Sequence, residues 1–290
     1  MNEAKKEAPD NRPRSIRDMG IMVVMLAVLG SLNFLPPDSS LEEVERSGRL
    51  RVCMPDNYPP LVMNEPDRPG FDVELLRAVS ERMGLAFSMV PNPAMARDFN
   101  PRSWRVTRAQ CSVLAGGIAL TSAVRSYLDT TSEYLATGWA VVSPTPLESL
   151  DGKRVGFFAG LTGLDRLVLS RALRGAGIRV TIVNRADDLA AQLESGELDA
   201  GISEALTVRQ IADAQGWNVA WIGQNSERYP IGIGFWKADL TLKRAVSATL
   251  AELDTDGTIA ALMDKYGIGD IEHVIEIGAA VPSAAGEAAQ

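Results

Sequence analysis

The sequence predicts an α/β chain made of two successive series of strands and helices, each folding as a mostly parallel sheet flanked by helices. Three observations carry this. Short apolar runs alternate with amphipathic, helix-period segments along most of the chain, the pattern of parallel sheets covered on both faces. The alternation falls into two series, one before about Val142 and one after it. In each series an apolar run passes through glycines into a helix start, "LAGGIALTS" in the first and "FFAGLTG" in the second. Open α/β sheets take ligands outside such strand ends, where helix N-termini present backbone N–H groups.

In chain order, residues 1–38 come first and stand apart. Arg12, Arg14 and Arg17 precede the uncharged apolar run Gly20 to Leu35, and Pro36-Pro37 closes it. Positive charge before such a run reads as an export signal that stays as a membrane helix or is cleaved, with Val28-Leu29-Gly30 a weak cleavage candidate. Next, Ser40 and Glu43 have the spacing of a capping box opening the short helix "LEEVERSG". "LRVCM" reads as a buried strand. "FDVELLRAVSERMG" carries Val73, Leu76, Val79 and Met83 near helical spacing and stops at Gly84. "LAFSMV" and "CSVLAGGI" follow as strands.

In the second series "KRVGFFAG", "IRVTIV" and "LDAGI" read as strands. "LDRLVLSRALRGAG", "ADDLAAQLESG" and "SEALTVRQIADAQG" are the helices between and after them. "NVAWIG" and "RYPIGIGFW" are further strands, and "LTLKRAVSATLAELDTDG" and "TIAALMDKYG" close the chain as helices. Residues 271–290, small and Pro/Gly-punctuated, read as a flexible tail.

Composition narrows the function. The 290 residues are 46% apolar and 23% charged, enough for about two globular domains. The formal charge of −8, with no dense Lys/Arg cluster beyond the N-terminus, repels phosphate backbones and excludes nucleic acid as a partner. With one histidine, His273, the chain offers no His-rich metal site and no Ser-His-Asp triad. No metal or other cofactor is expected. Cys53 and Cys111 match no metal-ligand spacing; two buried free thiols are expected, with a disulfide open to an exported chain.

Five stretches, in this order, resemble the periplasmic polar amino-acid-binding proteins that feed ABC importers: "GRLRVCMPDNYPPLV", "GFDVELLRAVSERMGL", "LDGKRVGFFAGLTG", "LESGELDAGISE" and "LAELDTDGTIAALMDKYG". The resemblance runs from about Gly48 to Ile268. It implies a type II periplasmic-binding fold: lobe 1 from residues 39–138 and 236–270, lobe 2 from residues 139–235, and two hinge crossings near Gly138 to Val142 and Ile231 to Phe235. Closure of the lobes on a ligand is the implied mechanism.

It also implies a site. Arg125 matches the arginine that grips an α-carboxylate, where a planar guanidinium can form two parallel bonds. Gly116 and Gly117 match the backbone that lets a ligand approach, and Thr121 and Ser122 the hydroxyls beside it. Tyr58 matches an aromatic packed on the ligand, Thr162 a hydroxyl at the second lobe's helix start, and Glu204 an aspartate that pairs with an ammonium. The sequence departs from the pattern at Ala119, at Ser112, in the four-step spacing from Thr121 to Arg125, and at Glu204, one methylene longer than the usual aspartate. Trp104 and the hinge-region Trp139 and Trp236 read as packing residues.

The expected function is non-catalytic capture of an amino-acid-like or organic-acid ligand for import, with a membrane permease or other inner-membrane partner. Two alternatives follow from the same residues. One is a membrane-tethered accessory or sensor module with a degenerate site. The other is a dehydratase acting on cyclohexadienyl acids, with a carboxyl such as Glu204 as general acid.

Overall fold

The computed structural model describes residues 19–27, 37–95, 101–159, 164, 166–223 and 228–277. The chain divides into two units, residues 1–38 and 39–290. In the first, residues 19–27 form helix α1. Its apolar side chains from Met19 to Leu26 are between 59% and 64% exposed. No helix among the described residues is long and apolar enough to cross a membrane.

The second unit carries two six-stranded sheets. The first is ordered β2(Ala86–Pro91), β1(Arg49–Met54), β3(Val113–Ala119), β11(Tyr229–Trp236), β4(Leu128–Thr130), and β5(Leu135–Thr137) also pairs with β11. Helices α2(Ser40–Ser47), α3(Phe71–Arg82), α8(Leu240–Thr255) and α9(Thr258–Tyr266) pack together on one face. Alternation along β3 fills both faces. Val113 and Ala115 join the core with Phe71, Leu76 and Val246, whereas Leu114 and Ile118 join the one with Trp104 and Val124. Val124 is the buried residue of the short helix α4(Ser122–Tyr127).

The second sheet is ordered β12(Val274–Ile275), β10(Asn218–Ile222), β6(Trp139–Ser143), β9(Ala200–Glu204), β7(Val155–Phe158), β8(Val180–Val183). Helix α5(Arg166–Gly175) covers one face through Leu169 and Leu173. The other face is covered by α6(Ala186–Glu194) and α7(Ala205–Gln215), through Leu189, Leu193, Val208 and Ile211.

Both sheets are mixed, which revises the expectation of mostly parallel ones. The β1–β2, β1–β3, β7–β8 and β7–β9 pairs are parallel, as helix crossovers require. The strands that arrive from the other lobe, β6 and β11, run antiparallel to their neighbours. The chain first crosses at Gly138, between β5 and β6. All of β11 from Tyr229 lies in the first sheet, so the return precedes the Ile231 to Phe235 window. A third passage follows α9, because β12 pairs with β10 and buries Ile275 and Ile277 in the second lobe. Residues 271–277, expected to begin a flexible tail, are thus partly built into a sheet.

Two local expectations are corrected. Cys53 and Cys111 form a disulfide, with 5.6 Å between their Cα atoms, and not two free thiols. The reason is tertiary: Cys53 lies in β1 opposite Leu114 of β3, and Ser112 N–H donates to Arg51 O, so Cys111 arrives beside the neighbouring strand. The capping box is also absent. Helix α2 is preceded by Ser39, whose hydroxyl bonds the Glu43 carboxylate. Ser40 instead contacts the Thr241 hydroxyl and accepts from the Leu242 N–H, joining α2 to the start of α8.

Candidate functional site

The strand end that opens into α4 is shaped by close packing. Gly116 and Gly117 have φ of +91° and +85°. A Cβ on Gly116 would lie 2.4 Å from Pro55 Cδ, and one on Gly117 2.3 Å from Tyr58 Cε1. Only glycine combines that backbone with so little space. The N–H groups of both donate to Asp72 Oδ2, at 2.7 and 3.0 Å. The Tyr134 hydroxyl donates to the same carboxyl, 2.8 Å from each oxygen. These amides are therefore held by Asp72, not presented to a ligand. Asp72, at the start of α3, is fully buried; burial raises its pKa to about 6, while the bonds from Tyr134, Gly117 and Gly116 oppose the rise.

Thr121 caps α4, its hydroxyl accepting from Val124 N–H at 3.3 Å. Ser122 and Arg125 are exposed. Arg125 Nε donates to the Leu120 carbonyl at 3.1 Å, which fixes the guanidinium plane and leaves both Nη atoms without a protein partner among the described residues. Asp129 pairs with Lys237 at 3.0 Å, so it does not hold Arg125.

On the second lobe, Glu204 ends β9 and caps α7, accepting from Thr207 N–H at 3.3 Å. Its other oxygen takes the hydroxyl of Thr137, the last residue of β5, so this bond spans the crossing at Gly138. Ala205 N–H donates to Gly138 O at 2.9 Å beside it. Burial raises the Glu204 pKa, and the bonds from Thr137, Leu206 and Thr207 oppose it. Tyr58 is 7% exposed, and its phenol pKa is pushed well up by burial, then by the charges of Glu204 and Asp72. Tyr58 and Leu206 belong to the same apolar cluster. The structure thus gathers Tyr58, Gly117, Asp72 and Glu204 around the crossing. Thr162 lies outside the described residues.

The two hinge-region tryptophans differ. Trp236 Nε1 donates to Cys111 O at 2.7 Å. The Trp139 ring packs, tilted, 5.4 Å from that of Phe157, and its buried Nε1 has no hydrogen-bond partner among the described residues. Asp72, Tyr134 and Thr137 were absent from the sequence-based site. The one available signal was the acidic residue in "GFD", an unusual group to bury in a helix's first turn. No group of three or more His, Cys, Asp or Glu among the described residues could hold a metal ion.

The model of the bacterial extracellular solute-binding proteins, family 3, matches residues 50–269. The L-cystine-binding protein TcyJ of Escherichia coli (strain K12) is 24% identical over 265 residues, 87% of this chain and 95% of its own length. The cyclohexadienyl dehydratase of Pseudomonas aeruginosa is 32% identical over 91 residues, 30% of this chain and 34% of its own. Among solved structures, an ancestral cationic amino-acid solute-binding protein superposes with a TM-score of 0.65 at 18% identity, covering 79% of this chain and 99% of that one.

Proposed function

Because the chain belongs to the bacterial extracellular solute-binding proteins of family 3, we propose that it captures a small amino-acid-like or organic-acid solute between its two lobes. The solute is captured in the periplasm and handed to a membrane permease for ABC import. The observation that carries this reading is the joining of Tyr58 of the first lobe and Leu206 of the second in one buried apolar cluster, next to the Thr137–Glu204 bond that spans the Gly138 crossing. A solute held there touches both lobes, so binding favours their closed arrangement.

Arg125 receives the solute's carboxylate. Its Nε is anchored on Leu120 O, and the two Nη atoms offer the fork that matches two carboxylate oxygens. Thr121 and Ser122 flank it, and Gly117 and Tyr58 form the wall. Glu204, bonded by Thr137 and Thr207, adds negative charge opposite and favours a zwitterion over a simple anion.

Capture without chemistry is favoured over dehydration. Relatives that align with most of this chain are named for binding, and the dehydratase aligns with under a third of it. Residues 1–38 serve export and hold the protein at the inner membrane, a role that suits the exposed apolar side chains of α1. A thermal-shift screen of amino acids, polyamines and organic acids tests capture. A solute at 100 times its Kd should add about 2.7 kcal/mol of stability, and a screen with no stabilising solute overturns the reading.

A further inference from the structure

Trp139 opens β6 directly after the crossing and pairs with Glu204 at the carboxyl end of β9. It stands where open α/β sheets take their ligands. The residue is 7% exposed, yet its indole N–H is unpaired among the described residues. Native proteins rarely bury such a donor without an acceptor, and tryptophan is normally placed where its N–H reaches one. Its register partner Glu204 is already used, accepting from Thr137 through one oxygen and from Thr207 through the other. The Gly138 carbonyl accepts from Ala205. Trp236, at the end of β11, has its N–H satisfied, whereas Trp139 Nε1 shares its lack of a partner among the described residues with the buried Ser203 Oγ of β9.

We propose that Trp139 Nε1–H donates to an acceptor oxygen of the captured solute, a carboxylate or carbonyl oxygen, and thereby sets specificity from the second lobe. The inference rests on the solute-capture reading and adds a contact to it. Phe157 packs against the indole and holds its plane, so the donor has a fixed direction. A solute with an oxygen at that point gains a bond. One presenting only an ammonium or an alkyl group leaves the buried N–H unpaired, the asymmetry by which polar sites reject analogues.

The test uses the full chain with 15N-labelled tryptophan and the probes L-glutamine, L-glutamate, L-arginine, L-histidine and L-cystine. Calorimetry on wild type and Trp139→Phe is paired with indole N–H spectra, assigned by replacing each tryptophan with phenylalanine. A probe that binds wild type should shift the Trp139 indole peak and should bind Trp139→Phe about tenfold more weakly, the worth of one buried hydrogen bond. Equal affinity in a folded Trp139→Phe overturns the assignment and leaves solute capture standing. If that variant does not fold, the wild-type peak decides: movement on binding supports the contact and an unmoved peak overturns it. Failure of every probe to bind wild type overturns this inference, and capture itself then stands or falls with the wider thermal-shift screen.

Discussion

Asp72 shows how one buried carboxyl can organise a strand end and make it sensitive to pH. Its ordinary value of 3.8 rises to about 6 in the folded protein. Below about pH 3.8 both folded and unfolded states hold the proton. Between about pH 4 and 6 only the folded state keeps it, so stability falls as pH rises through this window and levels off above it. At about 1.4 kcal/mol per pH unit the effect is on the order of 3 kcal/mol. Glu204, also raised by burial, acts in the same direction. Asp72→Asn should flatten the decline in urea-unfolding free energy between pH 4 and pH 6.5, and an unchanged decline would exclude Asp72 as its source. Arg125 tests the opposite case, an exposed group proposed to act on the ligand. Arg125→Ala should abolish calorimetric binding of a carboxylate solute, while changing unfolding free energy by less than about 0.5 kcal/mol. Unaltered affinity would remove Arg125 from the site.

At the scale of elements, the disulfide joins β1 to the entry of β3, beside the glycines that shape the site. It closes a loop with a sequence separation of 58 residues. A Cys53→Ser, Cys111→Ser double variant should lose about 2–4 kcal/mol in equilibrium unfolding. The unreduced wild type should take up no thiol reagent even when denatured; labelling of both cysteines would contradict the bond. Helices α3, α8 and α9 have enough internal periodicity to be read from sequence alone. Strands β4 and β5 do not: each has three residues, and each exists by pairing with β11 far along the chain. The Ser40 side chain likewise has a local use as a cap and a tertiary one against α8, and the tertiary one prevails.

For the whole molecule, the third passage between lobes carries the clearest consequence. Ile275 and Ile277 are 2% and 8% exposed and sit in the core with Leu169, Leu173 and Ile202. Truncation after Asp270 should cost about 3 kcal/mol, as expected for two buried aliphatic side chains. It should also expose hydrophobic surface to a dye such as ANS; a truncated chain as stable as the full one would show that β12 is dispensable. Bonds at the first crossing, Thr137 to Glu204 and Ala205 to Gly138, tie the lobes where any closure must bend.

The α/β class, two series of elements and most strand and helix positions were legible in the sequence, because periodicity and glycine punctuation are local signals that survive without a partner. The family resemblance also brought Tyr58, Gly117 and Glu204 into one candidate site. What tertiary structure alone decided was partnership. It assigned the Gly116 and Gly117 amides to Asp72, paired Cys53 with Cys111, gave Thr137 to Glu204 and left the Trp139 indole N–H without an acceptor among the described residues. Hydrogen bonding and burial depend on distances between residues far apart in the chain, and spacing along a sequence does not record those distances.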